Sequence, residues 1–145
     1  MKAKYPVTYE GHPNQPETGD MLIWSGEDWV LIKGAYAELD PPSGNPLKTT
    51  WNCNVALNTK ISVSESFTLE ITNVVNGMSG DLVLNVTEGL TTHITITLDA
   101  EDDSNVAISD IKGNGVLTEM PVGIYHICWV YDGTRLTYNI ARYAD

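Results

Sequence analysis

The side chains in this chain that could do chemistry are few, and their spacing argues against most of the reactions they could serve. His12, His93 and His126 lie far apart, and none has a second histidine at i+2, i+3 or i+4, so no pair of imidazoles is preset for one metal ion. No serine is framed as Gly-x-Ser-x-Gly, and neither Cys53 nor Cys128 reads as having the local glycine framing or the nearby histidine of a catalytic thiol. Both cysteines sit in runs of alternating apolar residues and read as buried free thiols, a disulfide between them being the less favoured alternative. The expectation is a protein that is not an enzyme, with no cofactor and no catalytic or metal residues.

Three further patterns carry a functional and a bland reading. Asp99, Glu101, Asp102, Asp103 and Asn105 form the densest run of oxygen ligands, yet they lack the spacing and mid-loop glycine of a helix-loop-helix calcium motif. A solvated acidic loop is expected, with a cation site as the alternative. Trp24, Trp29, Trp51 and Trp129 could stack on sugar rings; Trp51 and Trp129 share a face with aliphatic residues and read as core, while Trp24 and Trp29 stay open. The loop Asn76 to Gly80 has no following helix and no Lys-Ser/Thr, so it does not read as a phosphate cradle.

The charge balance narrows the partners. Eight Lys+Arg stand against 19 Asp+Glu, a formal charge of −11, which repels nucleic-acid backbones and anionic membrane surfaces. The segment MKAKYPVTYEGHPNQP contains no apolar run of signal-peptide length, and no stretch approaches the ~20 apolar residues of a spanning helix. A soluble protein without membrane insertion is expected. Self-association of so acidic a chain would need a sizeable apolar seam.

The elements that must position these residues read as all-β. Residues 1 to 20, with three prolines and two glycines, read as an extended arm in which Tyr5 and Tyr9 could anchor in a partner's groove. Met21-Leu22-Ile23-Trp24 and Trp29-Val30-Leu31-Ile32 flank Ser25 to Asp28 as a short hairpin. Its strands are apolar at nearly every position, so both faces should be covered, by the body or by further copies. Met21, Leu22, Trp24, Trp29 and Leu31 are thus the candidate seam. Ala35 to Pro46 reads as a linker, dividing 1–46 from an outer domain at 47–145.

Beyond the linker, short strand-like runs follow one another: Thr50 to Leu57, Lys60 to Ser64, Ser66 to Val75, Asp81 to Thr87, Thr92 to Leu98 and a weaker Val106 to Ile111. The clearest is Gly123 to Arg142, where Tyr125, Ile127, Trp129 and Tyr131 line one side of a strand, and Leu136, Tyr138 and Ile140 one side of the next. Asp132-Gly133 between them suits a two-residue turn. Seven or eight strands at this spacing suggest an antiparallel β-sandwich, jelly-roll-like, or a flattened barrel.

These runs carry a resemblance. Phe67 to Asn73 (FTLEITN), Asn76 to Val86 (NGMSGDLVLNV), His93 to Leu98 (HITITL) and Tyr125 to Tyr138 (YHICWVYDGTRLTY) resemble, in this order, the small β-domain of tailed-bacteriophage fibre proteins. Gly19 to Val30 (GDMLIWSGEDWV) is similar to the Gly-Asp-aliphatic-Trp-x-Gly-x-x-Trp-Val units of phage fibre and tail proteins. The resemblance implies a virion structural protein, usually a homotrimer, assembled in the host cytoplasm, attached to the particle by its N-terminal part and displaying its β-domain outward toward a host glycan or protein. The chain lacks the long shaft of tail fibres, which suits a stubby appendage such as a capsid decoration or a head fibre like those of crAss-like phages. Asp99 to Gly115 replaces the family's Trp-x-Gly-Gly segment. The alternative expectation is a monomeric carbohydrate-binding module.

Overall fold

The computed structural model describes residues 20–24, 26–27, 29–32 and 34–143. In chain order its strands are β1 (Met21–Trp24), β2 (Trp29–Ile32), β3 (Ala37–Glu38), β4 (Lys48–Asn52), β5 (Asn58–Val63), β6 (Phe67–Val74) and β7 (Ser79–Val86). They continue with β8 (His93–Ile94), β9 (Ile96–Asp102), β10 (Ile111–Gly113), β11 (Met120–Pro121), β12 (Gly123–Tyr131) and β13 (Leu136–Tyr143). The described residues form an all-β structure, as the alternation predicts.

The winding of those strands differs from the expected antiparallel arrangement. From β3 to β7 the chain alternates between two sheets: β3, β5 and β7 pair in parallel within a six-stranded sheet, and β4, β6 and β9 pair in parallel within a three-stranded one. The course is solenoid-like, each coil leaving one strand in each sheet. Asn76 to Gly80 therefore does not close a hairpin between Phe67–Val74 and Ser79–Val86 but carries the chain from one sheet to the other. Within the six-stranded sheet, antiparallel pairing enters where β12 adds to the free edge of β7 and turns back into β13, completing the order β10-β13-β12-β7-β5-β3; the small β1–β2 and β8–β11 pairs are antiparallel as well.

Both sheets direct their apolar stripes into one core. Every second residue is buried in β5 (Thr59, Ile61, Val63), β7 (Gly80, Leu82, Leu84, Val86) and β12 (Tyr125, Ile127, Trp129). From the opposite sheet come Trp51, Phe67, Leu69, Ile71 and Ile96. The rings of Trp51 and Trp129 meet edge-on across the layers, with centroids 5.7 Å apart and an interplanar angle of 72°, the arrangement their quadrupoles favour. Their polar ends differ: the Trp51 indole N–H donates to the Ala56 carbonyl at 2.8 Å, while that of Trp129 finds no hydrogen-bond partner among the described residues.

Several local expectations are revised. Thr50 to Leu57 is not one strand: β4 ends at Asn52, and Val55, which period-two alternation puts on one face with Trp51 and Cys53, is 57% exposed in the turn that follows. The weak run at Val106 to Ile111 contributes only an isolated bridge, Glu101 to Ala107, and the first residue of β10. Between β12 and β13 the loop has four residues, Asp132 to Arg135, since Tyr131 pairs with Leu136. The Asp132 carboxylate accepts from the amides of Thr134 at 2.9 Å and Arg135 at 2.7 Å, which closes a wider turn than Asp-Gly alone suggests. Within the stretch read as linker, Ala37–Glu38 already pairs with β5 and Leu39 packs on the core.

Two substitutions test the inter-layer contact. Trp129→Ala is expected to cost about 3–5 kcal/mol in chemical denaturation. A Cβ at Gly80 would meet the Trp129 ring at 2.5 Å, so Gly80→Ala is expected to destabilise by about 1–3 kcal/mol, and by less in a Trp129→Phe background, where the ring is smaller and the unsatisfied N–H is gone. Equal penalties for Gly80→Ala in both backgrounds would mean that the indole does not set the spacing.

Candidate functional site

The six-stranded sheet buries alternate residues and turns the others outward. On β12 the outward set is Ile124, His126, Cys128 and Val130; on β7 it is Ser79, Asp81, Val83 and Asn85. The antiparallel register places Cys128 directly opposite Asp81, where cross-strand side chains lie close enough to interact. His126, two residues from Cys128, joins them on the same face.

The three side chains converge. The Cys128 thiol donates to Asp81 Oδ1 at 3.0 Å, His126 Nε2 is in direct contact with the same Oδ1, and Cys128 Sγ lies 3.6 Å from His126 Nε2. The other carboxylate oxygen, Oδ2, accepts from the Tyr36 hydroxyl at 2.6 Å. Tyr36 is brought there by the segment that enters β3, which is tied to β5 by the Asn58 amide donating to the Gly34 carbonyl at 3.1 Å. The Asp81 backbone is fixed as well: its N–H donates to Leu57 O, and its carbonyl accepts from Thr59 Oγ1. Asp81, His126 and Cys128 are all half-buried, so solvent reaches them.

The electrostatics follow from this crowding. Burial raises the Asp81 carboxyl, but hydrogen bonds from Tyr36 and Cys128 and the imidazole of His126 outweigh it and hold the group below its usual value. The Tyr36 hydroxyl is raised, first by its hydrogen bond to Asp81 and then by desolvation. Burial, with the adjacent Asp81, pushes the Cys128 thiol from 9.0 up to about 11. The thiol is therefore protonated at neutral pH and is a poor nucleophile. The geometry also differs from a nucleophilic relay, in which one ring nitrogen faces the nucleophile and the other the carboxylate. Here thiol and carboxylate both face Nε2. The three donor atoms lie within 4.8 Å of one another, and among the described residues this is the group of His, Cys, Asp or Glu side chains close enough together that it could hold a cation.

The sequence-based expectations are redistributed accordingly. Cys53 is fully buried and its thiol is raised to about 12 by desolvation, as read from the alternation. Cys128 is not a core thiol; it lies on the outer face with its Sγ 3.6 Å from His126 Nε2, so the reading that neither cysteine has a nearby histidine is corrected. The readable signal was His-Ile-Cys, which at period two places both donors on one side of a strand. Asp81 had no such signal. His93 is exposed and bonds to the neighbouring Thr92 hydroxyl at 2.9 Å.

In the acidic run, the Asp102 carboxylate accepts from the amides of Ser104 and Val106 and closes a tight turn around Asn105, whose φ is 61°. Tyr5 and Tyr9 lie outside the described residues. Of the candidate seam, Met21 and Trp24 are each 54% exposed, with Ile23 beside them at 46%, while Leu22, Trp29 and Leu31 are half-buried. Trp24 and Trp29 pair edge-on at 5.5 Å, across from one another in the hairpin. No family model, curated protein or solved structure matches the chain.

Alkylation separates an activated from a resting thiol. Because the raised thiol favours the protonated form in the fold, Cys128 of the chelator-treated protein is expected to react slowly with iodoacetamide at pH 7 and faster as pH rises toward about 11. The stability that protonated Cys128 contributes is correspondingly complete below 9.0 and lost as pH rises through about 11. A rate already maximal at pH 7 would mark an activated nucleophile.

Proposed function

We propose that this chain is a non-enzymatic structural protein of a tailed-phage virion, a short homotrimeric fibre or head appendage. Residues 1–46 attach it to the capsid or another virion protein, and its sandwich-like β-body at 47–145 is displayed toward the host surface. The observation that carries this reading is the hairpin β1–β2. None of its described side chains joins the buried core, and Met21, Ile23 and Trp24 stand exposed. An isolated two-stranded hairpin is marginal in water, so this one gains most from packing on copies of itself. The same apolar seam offsets the repulsion between chains of charge −11. The ordered likeness of Phe67 to Tyr138 and of Gly19 to Val30 to phage fibre segments supports the placement on a virion.

Light scattering of the full chain is expected to give three times 15.9 kDa, and the double substitution Ile23→Ser/Trp24→Ser is expected to reduce it to one chain while leaving unfolding of the body unchanged. A monomeric wild type at micromolar concentration would overturn the trimer and favour a lone sugar-binding module. For attachment, a truncation that removes residues 1–33 spares Tyr36, β3 and Leu39, and should fold but fail to enter virions.

A further inference from the structure

We propose that Asp81, His126 and Cys128 bind a borderline-soft divalent cation of the zinc type, with Tyr36 as the positioning residue for the carboxylate. The inference does not depend on the chain's being a virion protein; it rests on four features of the outer face of the six-stranded sheet.

The first is the donor set. One thiol sulfur, one imidazole nitrogen and one carboxylate oxygen suit zinc and its neighbours in the first transition row, whereas calcium and magnesium demand oxygen throughout. The second is spacing. A tetrahedral ion with bonds of about 2.0–2.3 Å holds its ligand atoms roughly 3.3–3.8 Å apart. Cys128 Sγ and His126 Nε2 already stand at 3.6 Å, and Cys128 Sγ and Asp81 Oδ1 at 3.0 Å. An ion entering between them has only to spread direct contacts by small side-chain rotations.

The third feature is the scaffold. Asp81 and Cys128 are register partners on adjacent strands, and His126 is on the same strand and face as Cys128. The ligands therefore do not depend on a loop to assemble. The fourth is the outer support of the site. Tyr36 occupies Asp81 Oδ2 at 2.6 Å, which orients the carboxylate and leaves Oδ1 for the ion, as partners behind metal ligands commonly do. Three protein ligands leave a fourth position for water, and the partial exposure of His126 and Asp81, 31% and 24% of their side chains, gives an entry path. On binding, a sulfur–metal bond replaces the S–H bond and the thiol proton passes to solvent.

The test uses the full chain stripped with chelator and titrated with Co²⁺. A near-ultraviolet thiolate-to-cobalt charge-transfer band is expected, with visible bands of tetrahedral intensity that Zn²⁺ abolishes by displacement. Cys128→Ser is expected to lose the charge-transfer band, and Tyr36→Phe to keep it while weakening Co²⁺ binding about 10–100-fold. A reading on the wild type alone guards against variants that fail to fold: Zn²⁺ is expected to block alkylation of Cys128, and chelator to restore it, with a higher thermal midpoint in the loaded state. A wild type that shows no charge-transfer band and no protection of Cys128 would overturn the site. So would a band that survives in Cys128→Ser, since the thiolate would then be another.

Discussion

The edge-on contact of Trp51 with Trp129 is the constraint from which the rest of the body follows. It is where the two sheets meet through their largest buried side chains, and it fixes more than the distance between layers. Trp129 lies opposite Gly80 in the β7–β12 ladder, and only a residue without a Cβ leaves room for the indole there. Position 80 thereby works as a register pin. A slip by one residue would bring Asp81 or Ser79 under the ring and turn every inward side chain of β7 to the outer face. With the register pinned, Asp81 must face Cys128. The outer cluster is thus a consequence of the inner packing, one residue along the same two strands.

How much of this could be read in the sequence depends on the range of the interaction. Period-two alternation is local, and it located nearly every long strand and its inward face: Tyr125, Ile127 and Trp129 are buried as their spacing requires, as are Leu82, Leu84 and Val86. Partner choice is not local. A glycine-bearing loop between two alternating runs suits a hairpin and a crossover equally well, so Asn76 to Gly80 could not say that Phe67–Val74 and Ser79–Val86 belong to different sheets. The parallel coils depend on pairings such as β5 with β7 and β6 with β9, which no turn residue announces. The hairpin β12–β13 was legible because its pairing is local, although the reach of the Asp132 carboxylate to two amides lengthened its loop beyond the Asp-Gly expectation.

The cluster divides along the same line. The stripe that puts Tyr125, Ile127 and Trp129 inside puts His126 and Cys128 outside, so half the site was written in one strand's alternation and was obscured by treating cysteine as a core residue by default. Asp81 is 47 positions from Cys128 and Tyr36 is 45 from Asp81. Both reach the site only through the sheet order β12-β7-β5-β3, which the sequence does not declare.

Tyr36 also joins the two parts of the chain that carry the proposals. Gly34 donates its amide to the Asp20 carboxylate just before the hairpin and accepts from Asn58 at the start of β5, Tyr36 reaches Asp81 two residues later, and the Leu39 amide donates to Lys60. The segment leaving the hairpin is held at successive points along the outer edge of the sheet, and the Tyr36 contact is the only one of these made to a side chain of the cluster. A cation on Oδ1 and the tyrosine on Oδ2 would act on one carboxylate from opposite sides. Each fixes its rotamer for the other, so order at the cluster and order in the segment below the hairpin reinforce one another through a single aspartate.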